Sequence, residues 1–114
     1  VCDALLGAMG KGDIGEHFPN TDKALKDISS MALLGKVNDL LQQEGYAVVN
    51  VDAVIHAQEP KLSAYKSQMR VHLADTLAID ETAVNIKATT HEGLGSIGSK
   101  QGIAASAVAL IRKI

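Results

Sequence analysis

Apolar residues recur along this chain in two rhythms, one helical and one alternating, and the switches between them mark out its elements. Residues 1 to 9, VCDALLGAM, keep apolar side chains on a short helical pattern that Gly10 and Gly12 end. Residues 12 to 30, GDIGEHFPNTDKALKDISS, break the rhythm and are rich in turn formers. That stretch is too long for an idle connection in a small domain, and such loops are usually functional or disordered. Helical spacing then returns over residues 31 to 44, with Leu33, Val37, Leu40 and Leu41 on one face. Ser29 or Ser30 stands where a cap is needed, and Gly45 where the helix must stop.

Over residues 46 to 58 the period falls to two. Ala47, Val49, Val51, Ala53, Ile55 and Ala57 are apolar throughout, against Val48, Asn50, Asp52, Val54 and His56, which predicts a strand with one firmly buried face. Pro60 ends it. Tyr65, Met69, Leu73 and Leu77, four apart, predict a second long helix with Ser63 as its cap. AVNIKATT, residues 83 to 90, is the next strand. The tail GIAASAVALIRKI stays open on pattern alone, since its alanines suit a helix and its Val and Ile a strand. No internal repeat or low-complexity segment is present. The order helix, loop, helix, strand, helix, strand, final element predicts an α+β fold: a two-layer mixed sheet with helices packed on one face.

With 114 residues the chain is a single domain's worth, so residues 1 to 114 are read as one domain. Aromatic residues make up only 3% of it, leaving a core of Val, Ile, Leu and Ala. So small a core predicts that association between subunits buries further surface. A net charge of −2 with no basic stripe argues against nucleic acid as a partner. Cys2 stands alone, which excludes an internal disulfide and points to a reducing compartment. No apolar run approaches a membrane span, and no signal pattern opens the chain. It begins in mid-helix pattern without Met, and we expect its N-terminal segment to be incomplete.

Three stretches concentrate chemistry. The loop at 12 to 22 offers Asp13, Glu16, His17, Asn20, Thr21 and Asp22. Turn chemistry accounts for such residues as readily as ligand binding does, and His17 beside Glu16 is not a metal pair, because loop neighbours point apart. PKLS, residues 60 to 63, sets Lys61 between a strand end and a helix start, either as a solvated lysine or as part of an anion site at the helix N-terminus. KATTHEGLG, residues 87 to 95, crowds hydroxyls, an imidazole and a carboxylate at a strand end, followed by two glycines. A polar turn would explain it. So would a diphosphate–magnesium site: Thr89 and Thr90 as donors to phosphate oxygens, Glu92 as ligand of a hard cation, Gly93 and Gly95 allowing close backbone approach. His56 and His72 receive no role.

DALLGAMGKGDIGEHFPNTD, NVDAVIHAQEPKLS and NIKATTHEGLGSIGSKQGIAASAVALI stand in an order and spacing that resembles the 2-C-methyl-D-erythritol 2,4-cyclodiphosphate synthase family of non-mevalonate isoprenoid biosynthesis. The match runs from Asp3 almost to the last residue. The resemblance implies a homotrimer with active sites between subunits and a strand for the ambiguous tail. It implies a phosphorus–oxygen lyase that converts 4-diphosphocytidyl-2-C-methyl-D-erythritol 2-phosphate to the cyclic diphosphate and releases CMP. Location in a bacterial cytoplasm or a plastid goes with it.

By position, Asp13, Ile14 and Gly15 with Phe18, Pro19, Asn20, Thr21 and Asp22 match the segment that holds the methylerythritol portion, Asn20 replacing the usual Asp. Ala57, Gln58, Glu59, Pro60, Lys61, Leu62 and Ser63 match the segment around the cytidine, with Lys61 at its phosphates. Ala88, Thr89, Thr90, His91 and Glu92 match the diphosphate segment. Thr90 is the implied transition-state stabiliser and Glu92 the implied ligand of magnesium or manganese. The family's zinc is expected too, but its ligands lie upstream of Val1, and none of the four histidines occupies a matching position. Were this chain the whole molecule, little turnover would be expected, and a trimeric cytidine-nucleotide-binding module would be the alternative. Ser96 and Ser99 replace a Phe and an Arg of the family, and Lys100 lacks the guanidinium fork, so isoprenoid binding in the trimer cavity is not expected.

Overall fold

The computed structural model describes all 114 residues. Helix α1 spans Cys2–Ala8 and buries Leu5 and Leu6 completely. The long segment after it is not an open loop. It folds into a single helical turn, α2 (Ile14–His17), and a 3-10 turn (Lys23–Leu25), each capped by the carboxylate just before it, Asp13 or Asp22. Helix α3 (Ser30–Gln43) starts where the Ser29 hydroxyl accepts the Met31 amide at 3.2 Å, and Gly45 follows it at φ +85°.

The buried stripe of α3 is Leu34, Val37, Asn38 and Leu41 rather than one that includes Leu33, which lies half-buried at its margin. Asn38 is the one buried polar residue, and its side-chain amide donates to the Thr76 carbonyl on α4 over a long 3.5 Å contact.

Strand β1 (Tyr46–His56) departs from the expected alternation in its first half. A register shift between Val48 and Asn50 inserts Val49 as a bulged residue, so Val48 is buried while Val49 is 38% exposed. One extra residue flips every side chain on one side of it to the other face. Beyond the bulge Val51, Ala53 and Ala57 are buried as expected.

Helix α4 (Lys66–Leu77) begins at Tyr65 without a side-chain cap, and Ser63 lies in the preceding turn, so the expected Ser63 cap is not formed. Its buried residues are Ala74 and Leu77, while Tyr65 is 51% exposed. A step of four residues overshoots a helical turn by about 40°, so three such steps carry a stripe roughly a third of the way around the helix. That drift puts Tyr65 in solvent and Leu77 in the core.

Strand β2 (Val84–Thr89) runs parallel to β1, and β3 (Ala104–Lys113) pairs antiparallel with it, giving a mixed sheet of order β2-β1-β3. The open tail is therefore a strand. Helices α1, α3 and α4 pack on one face around Leu5, Leu6, Leu34, Val37, Leu41, Val48, Val51 and Leu77. The opposite face is bare: Val108 and Leu110 are 75% and 58% exposed. On that face the Asp52 carboxylate accepts Lys87 Nζ at 2.7 Å and Asn85 Nδ2 at 3.1 Å.

Candidate functional site

Because β1 and β2 are parallel, their carboxyl ends lie side by side, with His56 opposite Thr89. The ladder runs one residue further, where the Ala57 amide donates to the Thr89 carbonyl at 3.0 Å. The chain leaves both strands in the same direction, and the crevice beyond such ends is where α/β sheets bind ligands. Here it is a cavity of about 160 Å³, lined by Ala57, Gln58, Pro60, Lys61, Leu62 and Ser63 on one side and by Ala88, Thr89 and Thr90 on the other. Two stretches 25 or more residues apart in sequence thus meet at one opening. Glu59 is the exception in its stretch, since its carboxylate pairs with Lys100 at 3.0 Å instead of lining the cavity.

The turn after β2 has a fixed shape. The Thr89 hydroxyl donates to the Thr90 carbonyl at 3.2 Å, and the Thr90 hydroxyl accepts the Glu92 amide at 3.3 Å. Glu92 sits at φ +53° and Gly93 at φ +78°. A left-handed conformation is strained for a residue with a side chain, and it persists only where its surroundings dictate it. The Gly93 amide donates to Gln58 Oε1 at 3.2 Å, and the Leu94 amide to the His91 carbonyl at 2.9 Å. Gly98, at the end of the short helix α5 (Gly95–Gly98), is buried against this turn, and a Cβ there would come within 2.8 Å of Gly93 Cα. The Glu92 carboxylate is exposed and enters no ion pair, and neither does Lys61. An unpaired ammonium thus lines the cavity, and an unpaired carboxylate stands two residues beyond Thr90 in its wall.

The structure does not bring the 13 to 22 segment to this cavity. Turn α2 packs against α1, and its polar groups are spent locally. Asp13 Oδ1 accepts the Glu16 amide and Asp22 Oδ1 the Ala24 amide, each at 2.9 Å. Asp3 Oδ1 accepts the Ile14 amide at 2.8 Å, which ties α1 to α2. His17 Nε2 lies 2.6 Å from the Lys11 carbonyl oxygen and must be the donor, because a carbonyl only accepts. Ile14 and Phe18 pack on the core, while Gly15, Pro19, Asn20 and Thr21 are exposed.

A larger cavity of about 410 Å³ lies between α1, α4 and the sheet, but ten of its thirteen lining residues are apolar and only Asp3, His72 and Ser106 bring polar groups to it. Nowhere do three His, Cys, Asp or Glu side chains converge as a metal cluster. His56, which no sequence motif singles out, brings its Nδ1 to 3.0 Å from His91 Nε2. No pattern in the sequence marks that contact; it appears only once the register of β1 against β2 is known. No helix is long and apolar enough to cross a membrane.

Comparison with known proteins covers nearly the whole chain. The model of the YgbB family matches residues 1 to 112. A 2-C-methyl-D-erythritol 2,4-cyclodiphosphate synthase of Pelotomaculum thermopropionicum is 55% identical over 113 residues, covering 99% of this chain and 70% of that protein. Among solved structures, the bifunctional IspDF of Campylobacter jejuni superposes with a TM-score of 0.94 at 42% identity, over 99% of this chain and 31% of that one. A CDP complex of IspF from Plasmodium falciparum superposes with a TM-score of 0.85 at 34% identity, over 98% of this chain and 67% of that one. The chain spans 66% to 72% of the length of its named bacterial relatives.

Proposed function

The chain belongs to the YgbB family, and from that premise we propose that it catalyses the reaction its named relatives imply. 4-Diphosphocytidyl-2-C-methyl-D-erythritol 2-phosphate is cyclised to 2-C-methyl-D-erythritol 2,4-cyclodiphosphate, and CMP leaves. The observation that carries this reading is the convergence of Lys61, Thr89 and Thr90 on one cavity, with the unpaired Glu92 carboxylate on the turn beside it. A cytidine diphosphate needs a basic group, hydroxyl donors and a hard-cation ligand at its phosphates, and those are what this opening offers.

In the reaction an oxygen of the substrate's 2-phosphate forms a bond to the β-phosphorus. The bond from that phosphorus to the bridging oxygen breaks, and CMP departs with the oxygen and its electron pair. No protein nucleophile is required. The protein's work is positioning and charge stabilisation, as in other phosphoryl transfers. Ala57 to Ser63 hold the cytidine end, with Lys61 set against its phosphates. Thr90 offers its hydroxyl to the diphosphate, at the oxygens that gain charge in the transition state, and Thr89 can add a second donor only by turning its hydroxyl from the Thr90 carbonyl to a phosphate oxygen.

Glu92 is a fitting ligand for magnesium or manganese, because such ions are often bound by one or two carboxylates together with substrate phosphates. When bound, the ion would supply positive charge to offset that of the phosphates. Zinc is different: no cluster of side chains in this chain fits it, and no step is assigned to it.

The methylerythritol-holding segment, Asp13 to Asp22, does not reach the cavity of its own chain, which supports a site shared between subunits of a homotrimer. The bare sheet face around Val108 and Leu110 is the proposed contact. The decisive experiment follows the phosphorus NMR spectrum of the protein with substrate and magnesium. CMP and a cyclic diphosphate should appear together, stop on addition of a chelator, and resume with magnesium or manganese. Persistence of the substrate signals with metal present overturns the reading.

A further inference from the structure

The contact between His56 and His91 is the one side-chain link between the carboxyl end of β1 and the diphosphate turn that is half-buried on both sides. The rings meet edge to face, with centroids 5.1 Å apart and planes at 80°. With 3.0 Å between Nδ1 of His56 and Nε2 of His91, one nitrogen carries the hydrogen and the other must present its lone pair. Each ring therefore fixes the tautomer and the orientation of the other.

The position of His91 gives this consequence. It stands between Thr90 and Glu92, and its carbonyl accepts the Leu94 amide that closes the turn. Glu92, next to it, is held in the left-handed region at φ +53°. Two more links run in parallel from the same stretch of chain, Gln58 Oε1 to the Gly93 amide and Glu59 to Lys100. The second is an exposed ion pair and adds little. A half-buried bond between two rigid rings constrains direction far more than either.

We propose that His56 is a positioning residue: through His91 it orients the Thr89–Glu92 turn and sets its spacing from the cytidine-side stretch before substrate arrives. His56 itself does not line the cavity. It is the last residue of a central strand, and a site is held best by groups on rigid elements. The inference rests on the synthase reading for its kinetic part only.

Its test compares His56→Ala, His91→Ala, the double variant and His56→Asn, whose amide nitrogen falls near the place of Nδ1. Two readouts are taken: steady-state CMP release, and hydrogen exchange of the Gly93 and Leu94 amides. His56→Ala should lower kcat by about tenfold or more, since small misplacements of reacting groups are costly, while KM stays within about twofold. The double variant should be no worse than either single one, and His56→Asn should recover most of the loss. In the His56→Ala protein the Gly93 and Leu94 amides should exchange faster, with the Val51 and Val84 amides unchanged. Unaltered kcat, losses that add in the double variant, or unaltered exchange at Gly93 and Leu94 would each overturn the proposal. If the parent protein releases no CMP, the synthase reading fails and the exchange data alone decide the role of His56.

Discussion

Thr90 has a hydroxyl with two demands on it. It accepts the Glu92 amide at 3.3 Å, which shapes the turn, and its own hydrogen stays available to a phosphate oxygen. Thr90→Ala removes both, so kcat should fall by about 10²-fold, the scale seen when a single transition-state donor is lost. Thr90→Ser keeps the hydroxyl and should retain most activity. A serine variant as poor as the alanine one would mean that the methyl group, not the donor, matters. CMP release under saturating substrate reads the difference.

Asp80 poses a separate question at the same scale. The Thr82 amide donates to its carboxylate, and so does the Thr82 hydroxyl, each at 2.9 Å, and together they hold the carboxyl below the usual carboxylate range. The folded state then binds this proton less readily than the unfolded chain does. The stabilisation is fully present above the ordinary carboxylate pKa and is lost as pH falls through the lowered folded value. Between neutral pH and pH 3, the urea midpoint of Asp80→Asn should fall less than that of the parent. Equal falls would show that the turn contributes nothing to acid sensitivity.

Among the elements, those with a strong period were legible and those governed by tertiary contact were not. The helix over 31 to 44 and the strands at 46 to 58 and 83 to 90 follow from apolar spacing, as does the helix containing Met69, Leu73 and Leu77. The bulge at Val49 does not, because nothing in YAVVNVDAV marks where an antiparallel partner will skip a residue. The tail was open for a related reason. Only pairing with β1 distinguishes an Ala-rich strand from a helix, and here the family resemblance supplied what periodicity could not. The site divided in the same way. Lys61, Thr89, Thr90 and Glu92 were visible as residue types at element ends, whereas the role of His56 depends on strand register. The polar residues at 13 to 22 were visible too, but Asp13 and Asp22 serve as caps within their own chain. The elements themselves are held by few side chains. Leu41 is fully buried in the α3 stripe, and Leu41→Ala should cost about 2–5 kcal/mol in denaturant unfolding. A cost under 1 kcal/mol would place the stabilising contacts elsewhere than beneath α3.

Taken together, the 114 residues expose more than a free-standing domain of that size should. Their accessible surface is 7164 Å², where a folded monomer of 12.0 kDa is expected to show about 6,000 Å². Their radius of gyration, 15.0 Å, exceeds the roughly 13 Å expected for this length. Only 14 of 114 residues are buried, too few for a comfortable single-chain core. Part of the excess lies on β3, an edge strand whose outward side chains Val108 and Leu110 are apolar. The proposed homotrimer would cover that face and carry the Asp13–Asp22 segment of one subunit towards the Lys61 and Thr90 cavity of the next. Sedimentation velocity should therefore find three times the chain mass at micromolar concentration. Leu110→Asp should shift the protein to a slower, single-chain species and abolish CMP release together with assembly, since half of each site would be withdrawn. If Leu110→Asp sediments like the parent, the association surface is not this sheet face. If it becomes single-chain yet keeps full turnover, the shared site is wrong and each chain must complete its own.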